Sequence, residues 1–447
     1  MADRYDAIVV GAGPVGQVCA GELADGGMRV AIVERELVGG ECSYWACIPS
    51  KTLLRPGEAV EAAREVAGAA EAVTGSIDLD SALEYRNFMT SDWDDSDAVG
   101  WLDDKGVDLL RGEGRIAGPG RVIVGDETYD AERIVVATGS SPVIPPIDGL
   151  RELDGIWTNR EATEFTELPE ALTVLGGGPV GVELAQAFHR FGSDVTIVEG
   201  ESRLLPREAE MIGEAVGEAL SAEGIAVRLG EHASSAEQDS DGRFVLRFEK
   251  GEDVVGDRLL VATGRRARVH EIGLDTVGIE PGKQGIEVDE QLRAGDGVWA
   301  IGDATGIWPF THVGKYQARV AARAILGDSD ARADYRAVPR VVFCDPQVAA
   351  VGESSGAAVG TVALSGVART STYTREYADR PGFLTLVSDG SKLVGAYAVG
   401  PEAGEWLQQA TLAIRAEVPI PVLRDTIQPF PTFSEAFVNA LTDLVSS

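Results

Sequence analysis

The sequence predicts an α/β protein in three parts: two doubly wound domains on parallel sheets, then a C-terminal α+β domain. Three observations predict it. A strand, glycine loop, helix and second strand follow one another twice in the same order; each copy is followed by an apolar β run ending in a glycine turn; and the pattern changes from about Val338. At 447 residues the chain has room for roughly two to four domains with sizeable cores.

The first copy is YDAIVVGAGPVGQVCAGELADGGMRVAIVER, where the run Ala7 to Val10 leads into Gly11, Gly13 and Gly16 and the second strand ends at Glu34. Glycines let the backbone turn and approach a pyrophosphate at the helix N-terminus, while the acid can bind a ribose hydroxyl. The second copy, LTVLGGGPVGVELAQAFHRFGSDVTIVEGESR, repeats the device with Gly176, Gly178, Gly181 and Glu199. Two Rossmann-like dinucleotide-binding domains imply two dinucleotides and electron transfer between them. IVVATGSSP carries Thr138 and Gly139, and LLVATGRRA carries Thr263 and Gly264. VWAIGDAT ends in Asp303 and precedes a helix starting near His312. From about Val338, strand patterns such as FLTLVSDGSKLVGAYAVG and a terminal helical region carry no nucleotide signature. The segments read as 1–150, first part of the first nucleotide domain; 151–265, the second; 266–337, the remainder of the first; and 338–447, the α+β domain.

Composition narrows the partners. There are 72 acidic against 39 basic residues, a formal net charge of −33, and the lysines are Lys51, Lys105, Lys250, Lys283, Lys315 and Lys392. Such a surface repels nucleic acid and anionic membrane, so neither is expected as a partner. Adaptation to a salt-rich cytoplasm would explain it; a melting temperature flat between low and molar salt would count against that idea. No run of about 18 apolar residues or leader pattern occurs, so the expected location is cytoplasmic. His189, His232, His270 and His312 lack ligand spacing, so no metal site is expected.

The stretch GGECSYWACIPSK places Cys42 and Cys47 five residues apart, with Lys51 four beyond Cys47. Four cysteines are too few for a disulfide scaffold, and in a reducing compartment such a pair reads as catalytic or metal-binding. Cys19 and Cys344 read as buried small hydrophobes. The order of all these segments resembles the flavin-dependent pyridine nucleotide–disulfide oxidoreductases, which include glutathione reductase, dihydrolipoamide dehydrogenase and mercuric reductase. The resemblance covers essentially the whole chain, and GGECSYWACIPSK matches the family's Cys-x4-Cys-x-x-x-Lys signature.

That resemblance implies FAD in the first domain, at Gly11, Gly13, Gly16, Glu34, Gly40, Lys51, Gly114, Thr138, Gly139, Asp303 and His312. It implies NAD in the second, at Gly176, Gly178, Gly181, Glu199 and Gly264, and a C-terminal homodimer interface. Glu199 favours NADH over NADPH, although Arg203 four residues on leaves NADP open. By resemblance, Cys47 is the flavin-facing thiol, Cys42 the interchange thiol of a redox disulfide, and Glu183 the partner of Lys51. Residues five apart on an ideal helix have Cα atoms roughly 8.6 Å apart. A disulfide needs about 4.4–6.8 Å. Cys42 is therefore expected in a distorted turn, made possible by Gly39 and Gly40, with Cys47 in the first turn of a helix.

The tail IQPFPTFSEAF is similar to the family's His-Pro-Thr-x-x-Glu region, in which a histidine held by a glutamate moves protons at the interchange thiol. Phe430 stands at the histidine position, while Pro431, Thr432 and Glu435 remain. The implied activity is electron transfer from NAD(P)H to a small acceptor, a disulfide, quinone-like compound or metal ion. The alternatives are a carbon–sulfur cleaving or carboxylating enzyme similar to 2-ketopropyl coenzyme M oxidoreductase/carboxylase, which also has phenylalanine there, and a slow-turnover redox sensor.

Overall fold

In the computed structural model, which describes residues 4–373 and 382–446, strand Arg4–Val10 is central to a mainly parallel sheet. Its neighbours are Val30–Glu34 on one side and Glu127–Val136 on the other, extended by Val107–Arg111 and Val298–Ala300. Taking these five parallel strands in chain order, the spatial order is 3-2-1-4-5, the doubly wound arrangement in which ligands bind at the carboxyl ends of the strands. Ile8, Val9, Ile32, Ile134 and Val135 are fully buried, as expected where both faces of a parallel sheet are covered. One cover is the pair of helices Pro14–Asp25 and Thr311–Ile325, which pack on each other.

The chain divides into two compact units. The sheet above belongs to the unit made of residues 1–49, 84–143 and 265–334. The other unit comprises residues 50–83, 144–264 and 335–447, and the division falls within the helix Cys47–Arg64. This second unit holds the second glycine device on a four-stranded parallel sheet ordered Ala226–Leu229, Asp194–Glu199, Ala171–Leu175, Arg258–Val261. It also holds a five-stranded antiparallel sheet with helices from the C-terminal region. Leu53, Leu54, Phe188, Leu260, Val348 and Tyr397 belong to one apolar core within the unit, so the last segment shares its core with residues 50–83 and 144–264. Apolar periodicity reports that a face is buried and not against what, which is why the four-segment reading did not anticipate this grouping.

Candidate active site

Each glycine loop has the same internal logic. Gly11 has φ +109°, and a Cβ there would lie 2.4 Å from the Ala137 carbonyl oxygen; at Gly16 it would lie 1.9 Å from the Gly11 oxygen. Both positions are closed by backbone. Gly13 differs, since a Cβ there meets nothing within 4 Å. The middle glycine thus faces open space at the start of helix Pro14–Asp25, where free amides and the helix dipole favour an anion. The second loop repeats this: Gly176 and Gly181 are closed by the Ala262 and Gly176 oxygens, and Gly178 is open. Both cradles fit a dinucleotide pyrophosphate.

The acids at the strand ends are placed alike. The backbone N–H groups of Ala12 and Glu36 donate to Glu34 at 2.9 and 2.8 Å, and those of Gly177 and Glu201 donate to Glu199 at 2.6 and 2.8 Å. Each carboxylate therefore pins its own glycine loop. Arg203, the candidate for a 2′-phosphate, donates instead to the carbonyl oxygens of Pro206 and Glu208.

The cysteines sit at a broken helix. Gly39 and Gly40, with φ of +121° and +55°, start a five-residue helix, Gly40–Tyr44, that contains Cys42. Trp45 leaves helical geometry at φ −135°, ψ 2°, and Cys47 opens the helix Cys47–Arg64. The expected turn around Cys42 is thus itself helical, and the chain resolves the spacing problem by breaking the helix between the cysteines. Both residues are half-buried free thiols. Thr311 Oγ1 donates to Cys42 Sγ at 3.3 Å and lies 3.4 Å from Cys47 Sγ, so one hydroxyl touches both sulfurs. The Cys42 thiol is pushed up by its hydrogen bond with Cys47, then by burial and the Cys47 charge, while Thr311 and Lys315 pull it down. Sequence reasoning missed Thr311. Its signal was a threonine opening a helix shortly after the Asp303 turn, but it lies 264 residues from Cys47.

Lys51 is four residues beyond Cys47 on the same helix. Its Nζ donates to Glu183 Oε2 at 2.6 Å and lies 5.0 Å from the centre of the Phe343 ring. Glu183 is buried on helix Pro179–Phe191, and its other oxygen accepts the Phe343 N–H at 2.9 Å. Glu183→Ala should cost about 2–3 kcal/mol in urea unfolding, below the ~3–5 of a fully buried pair because Lys51 keeps 35% of its side chain in water. A change under about 0.5 kcal/mol would contradict a structural share for this pair.

The remaining candidates separate. Ser140 donates to Asp303 Oδ2 at 2.6 Å, Thr138 donates to the Arg268 carbonyl at 2.6 Å, and Gly139 and Gly264 have open faces and positive φ. His312 is exposed beside Thr311, its ring stacked on Phe310 at 5.3 Å. Gly114 is buried in strand Gly114–Ile116, where a Cβ would meet Val33 and Val10 at 2.9 and 3.2 Å; packing accounts for its size. Cys19 and Cys344 are buried, and desolvation pushes the Cys19 thiol up to about 12. Phe430 is 73% exposed on its own chain. Glu435 closes the short 3₁₀ turn Phe433–Glu435, its Oε2 shielded from solvent without a hydrogen-bond partner among the described residues.

Comparison with known proteins matches this geometry to a family. Residues 5–323 match the model of pyridine nucleotide-disulphide oxidoreductases, and residues 338–441 match that family's dimerisation domain. The chain is 34% identical to a dihydrolipoyl dehydrogenase of Thermus scotoductus, over 98% of this chain and 96% of that one. It is 36% identical to a mercuric reductase of Acidithiobacillus ferrooxidans, over 96% of this chain and 80% of the other. Among solved structures, the HOCl-induced flavoprotein disulfide reductase RclA of Escherichia coli, in a Cu(II) complex, superimposes with a TM-score of 0.86. It is 27% identical over 98% of this chain and 99% of RclA. These relatives do not favour the carbon–sulfur cleaving alternative. No described helix is long and apolar enough to cross a membrane. The chain belongs to the pyridine nucleotide–disulfide oxidoreductases, enzymes that use FAD and NAD(P)H.

Proposed function

We propose that this enzyme takes two electrons from NADH and delivers them, by way of FAD and the Cys42–Cys47 pair, to a small acceptor that needs no proton from an imidazole. A quinone-like compound or a thiophilic metal ion fits that description better than a disulfide. The observation that carries the reading is the placement of both sulfurs around the single Thr311 hydroxyl. Two relatives support the choice of acceptor: one is a mercuric reductase, and the RclA structure holds Cu(II). Phe430 at the histidine position supports it too, since a phenyl ring carries no proton.

FAD would be held over Gly13 with Glu34, Asp303 and Thr138, and when bound it supplies two-electron exchange between nicotinamide and dithiol. NADH would be held over Gly178, with Glu199 accepting from the ribose; the engagement of Arg203 elsewhere supports NADH over NADPH. Lys51, held by Glu183, supplies fixed positive charge. Oxidation of one NADH gives NAD⁺, a proton and two electrons. A quinone takes the pair with two protons; two metal ions take one electron each. In the thiol cycle the S–S bond accepts the pair and breaks, Cys42 is left as thiol and Cys47 as thiolate, and loss of the pair re-forms the bond.

We also propose a cytoplasmic homodimer in which the partner subunit's Phe430 and the partner subunit's Glu435 stand near Cys42. Exposure of Leu412, Ile427 and Phe430 at 67%, 94% and 73% supports a covered surface in the dimerisation domain. A screen of quinones, thiophilic metal ions and disulfides, each with NADH and with NADPH, tests the function. NADH oxidation at least about tenfold faster with a quinone or metal ion than with any disulfide is expected. Good turnover with a disulfide alone would sink the reading, as would full activity in a monomer for the shared site.

A further inference from the structure

An enzyme of this design without the tail histidine still has to ionise the Cys42 thiol, which lies half-buried against a second sulfur. We propose that Thr311, which opens helix Thr311–Ile325, and Lys315, one turn further on, supply the hydrogen-bonding and charge for the Cys42–Cys47 dithiol. Thr311 is a catalytic residue that touches both sulfurs, and Lys315 is a positioning charge that favours the Cys42 thiolate. The inference rests on the redox role proposed above for the cysteine pair.

The geometry has two parts. Thr311 Oγ1 is 3.3 Å from Cys42 Sγ and 3.4 Å from Cys47 Sγ, and a hydroxyl has one proton to give. Whichever sulfur is ionised draws that proton, because a hydrogen bond to a charged acceptor is the stronger one. The hydroxyl thus follows the negative charge from one sulfur to the other. Its position at the start of a 15-residue helix adds the positive end of the helix dipole.

Lys315 stands four residues on, a spacing that places it on the same helix face as Thr311. It is half-buried and forms no ion pair with any described residue, although acids outnumber bases 72 to 39. Lys51, Lys105 and Lys392 each hold a carboxylate. Lys250 and Lys283 also hold no described carboxylate but are exposed to water; a half-buried lysine left without one in so acidic a chain points to another anion. Its charge pulls the Cys42 thiol down, in the same direction as Thr311 and against burial and Cys47. Of the other charges around the pair, Lys51, one turn beyond Cys47, is tied to Glu183, and the rest do not substitute for Lys315. Glu41, next to Cys42, is already tied to Arg265 and Arg268, and His312 on the same helix is exposed. Glu22, on the adjoining helix Pro14–Asp25, is exposed and raises the buried Cys19 thiol.

The test is the pH profile of Cys42 alkylation by iodoacetamide in the FAD-loaded protein, read by peptide mass after reduction with NADH and, separately, with dithiothreitol. Lys315→Met should move the profile upward by about one pH unit, roughly a tenfold lower rate at neutral pH. Lys315→Arg should restore it. Thr311→Val should shift the profile in the same direction, and Thr311→Ser, which keeps the hydroxyl, should not; the serine variant also answers for any folding defect in the valine one. An unchanged profile in Lys315→Met, with flavin retained, overturns the assignment. Cys42 that dithiothreitol exposes but NADH does not would instead sink the redox role of the pair, and leave the Lys315 comparison readable.

Discussion

Cys47→Ser is expected to abolish the long-wavelength thiolate-to-flavin absorption of the two-electron reduced protein, whereas Cys42→Ser keeps it. Both variants should lower thiol-dependent acceptor reduction by on the order of 10²-fold or more. The asymmetry follows from position. Cys47 opens the helix Cys47–Arg64, where unpaired amides and the dipole favour an anion, and Thr311 lies 3.4 Å away to donate to it. Serine at that position stays protonated at any ordinary pH, so the donor of the band is gone. Cys42 contributes differently. Its thiol is held up by the hydrogen bond with Cys47, then by burial and the Cys47 charge. Replacing it with serine preserves a hydroxyl beside Cys47, and the charge on Cys47 persists. Survival of the band in both variants would mean that the disulfide assignment is wrong; loss in both would mean that the two roles cannot be separated. The spectrum of purified, NADH-titrated protein decides it.

How much of this site could be read from the chain alone depends on how local each feature is. The glycine loops were legible because Gly11, Gly13 and Gly16 act within one strand-to-helix turn, and Gly176, Gly178 and Gly181 repeat it. What the acids Glu34 and Glu199 do to their own loops was not, because accepting the amides of Ala12 and Gly177 is a side-chain choice made in three dimensions. Spacing ruled out a continuous helix through Cys42 and Cys47 and correctly asked for a distortion. It could not distinguish a turn from a short helix broken at Trp45. Lys51 and Glu183 are 132 residues apart, and only resemblance paired them. Thr311 had no such help: periodicity marks it as a helix start, and nothing local says that two sulfurs lie within reach.

Phe430→His should gain roughly tenfold or more in activity toward small disulfides, inside the ~10²–10⁴-fold span of general acid–base catalysis, while the native reaction weakens. The substitution is cheap to make. Phe430 is 73% exposed on its own chain, so the folded monomer should lose no more than about 0.5 kcal/mol, the usual range for surface changes. The tail already contains what an imidazole would need. Glu435 keeps one carboxylate oxygen out of solvent with no hydrogen-bond partner among the described residues, an arrangement that costs about 1–3 kcal/mol until a donor is supplied. An imidazole at position 430 held by that carboxylate would be oriented and kept charged, as the third group of a triad does for its base. In the proposed dimer it would stand near Cys42, stabilise its thiolate and return a proton to a leaving thiol. The gain should therefore depend on Glu435: Phe430→His combined with Glu435→Gln should lose most of it. It should also lessen the dependence on Lys315, since a second cation would then serve the same thiolate. If Phe430→His keeps its flavin and its dimer yet reduces no disulfide faster than the parent, Phe430 fills space at the interface and the acceptor is chosen elsewhere.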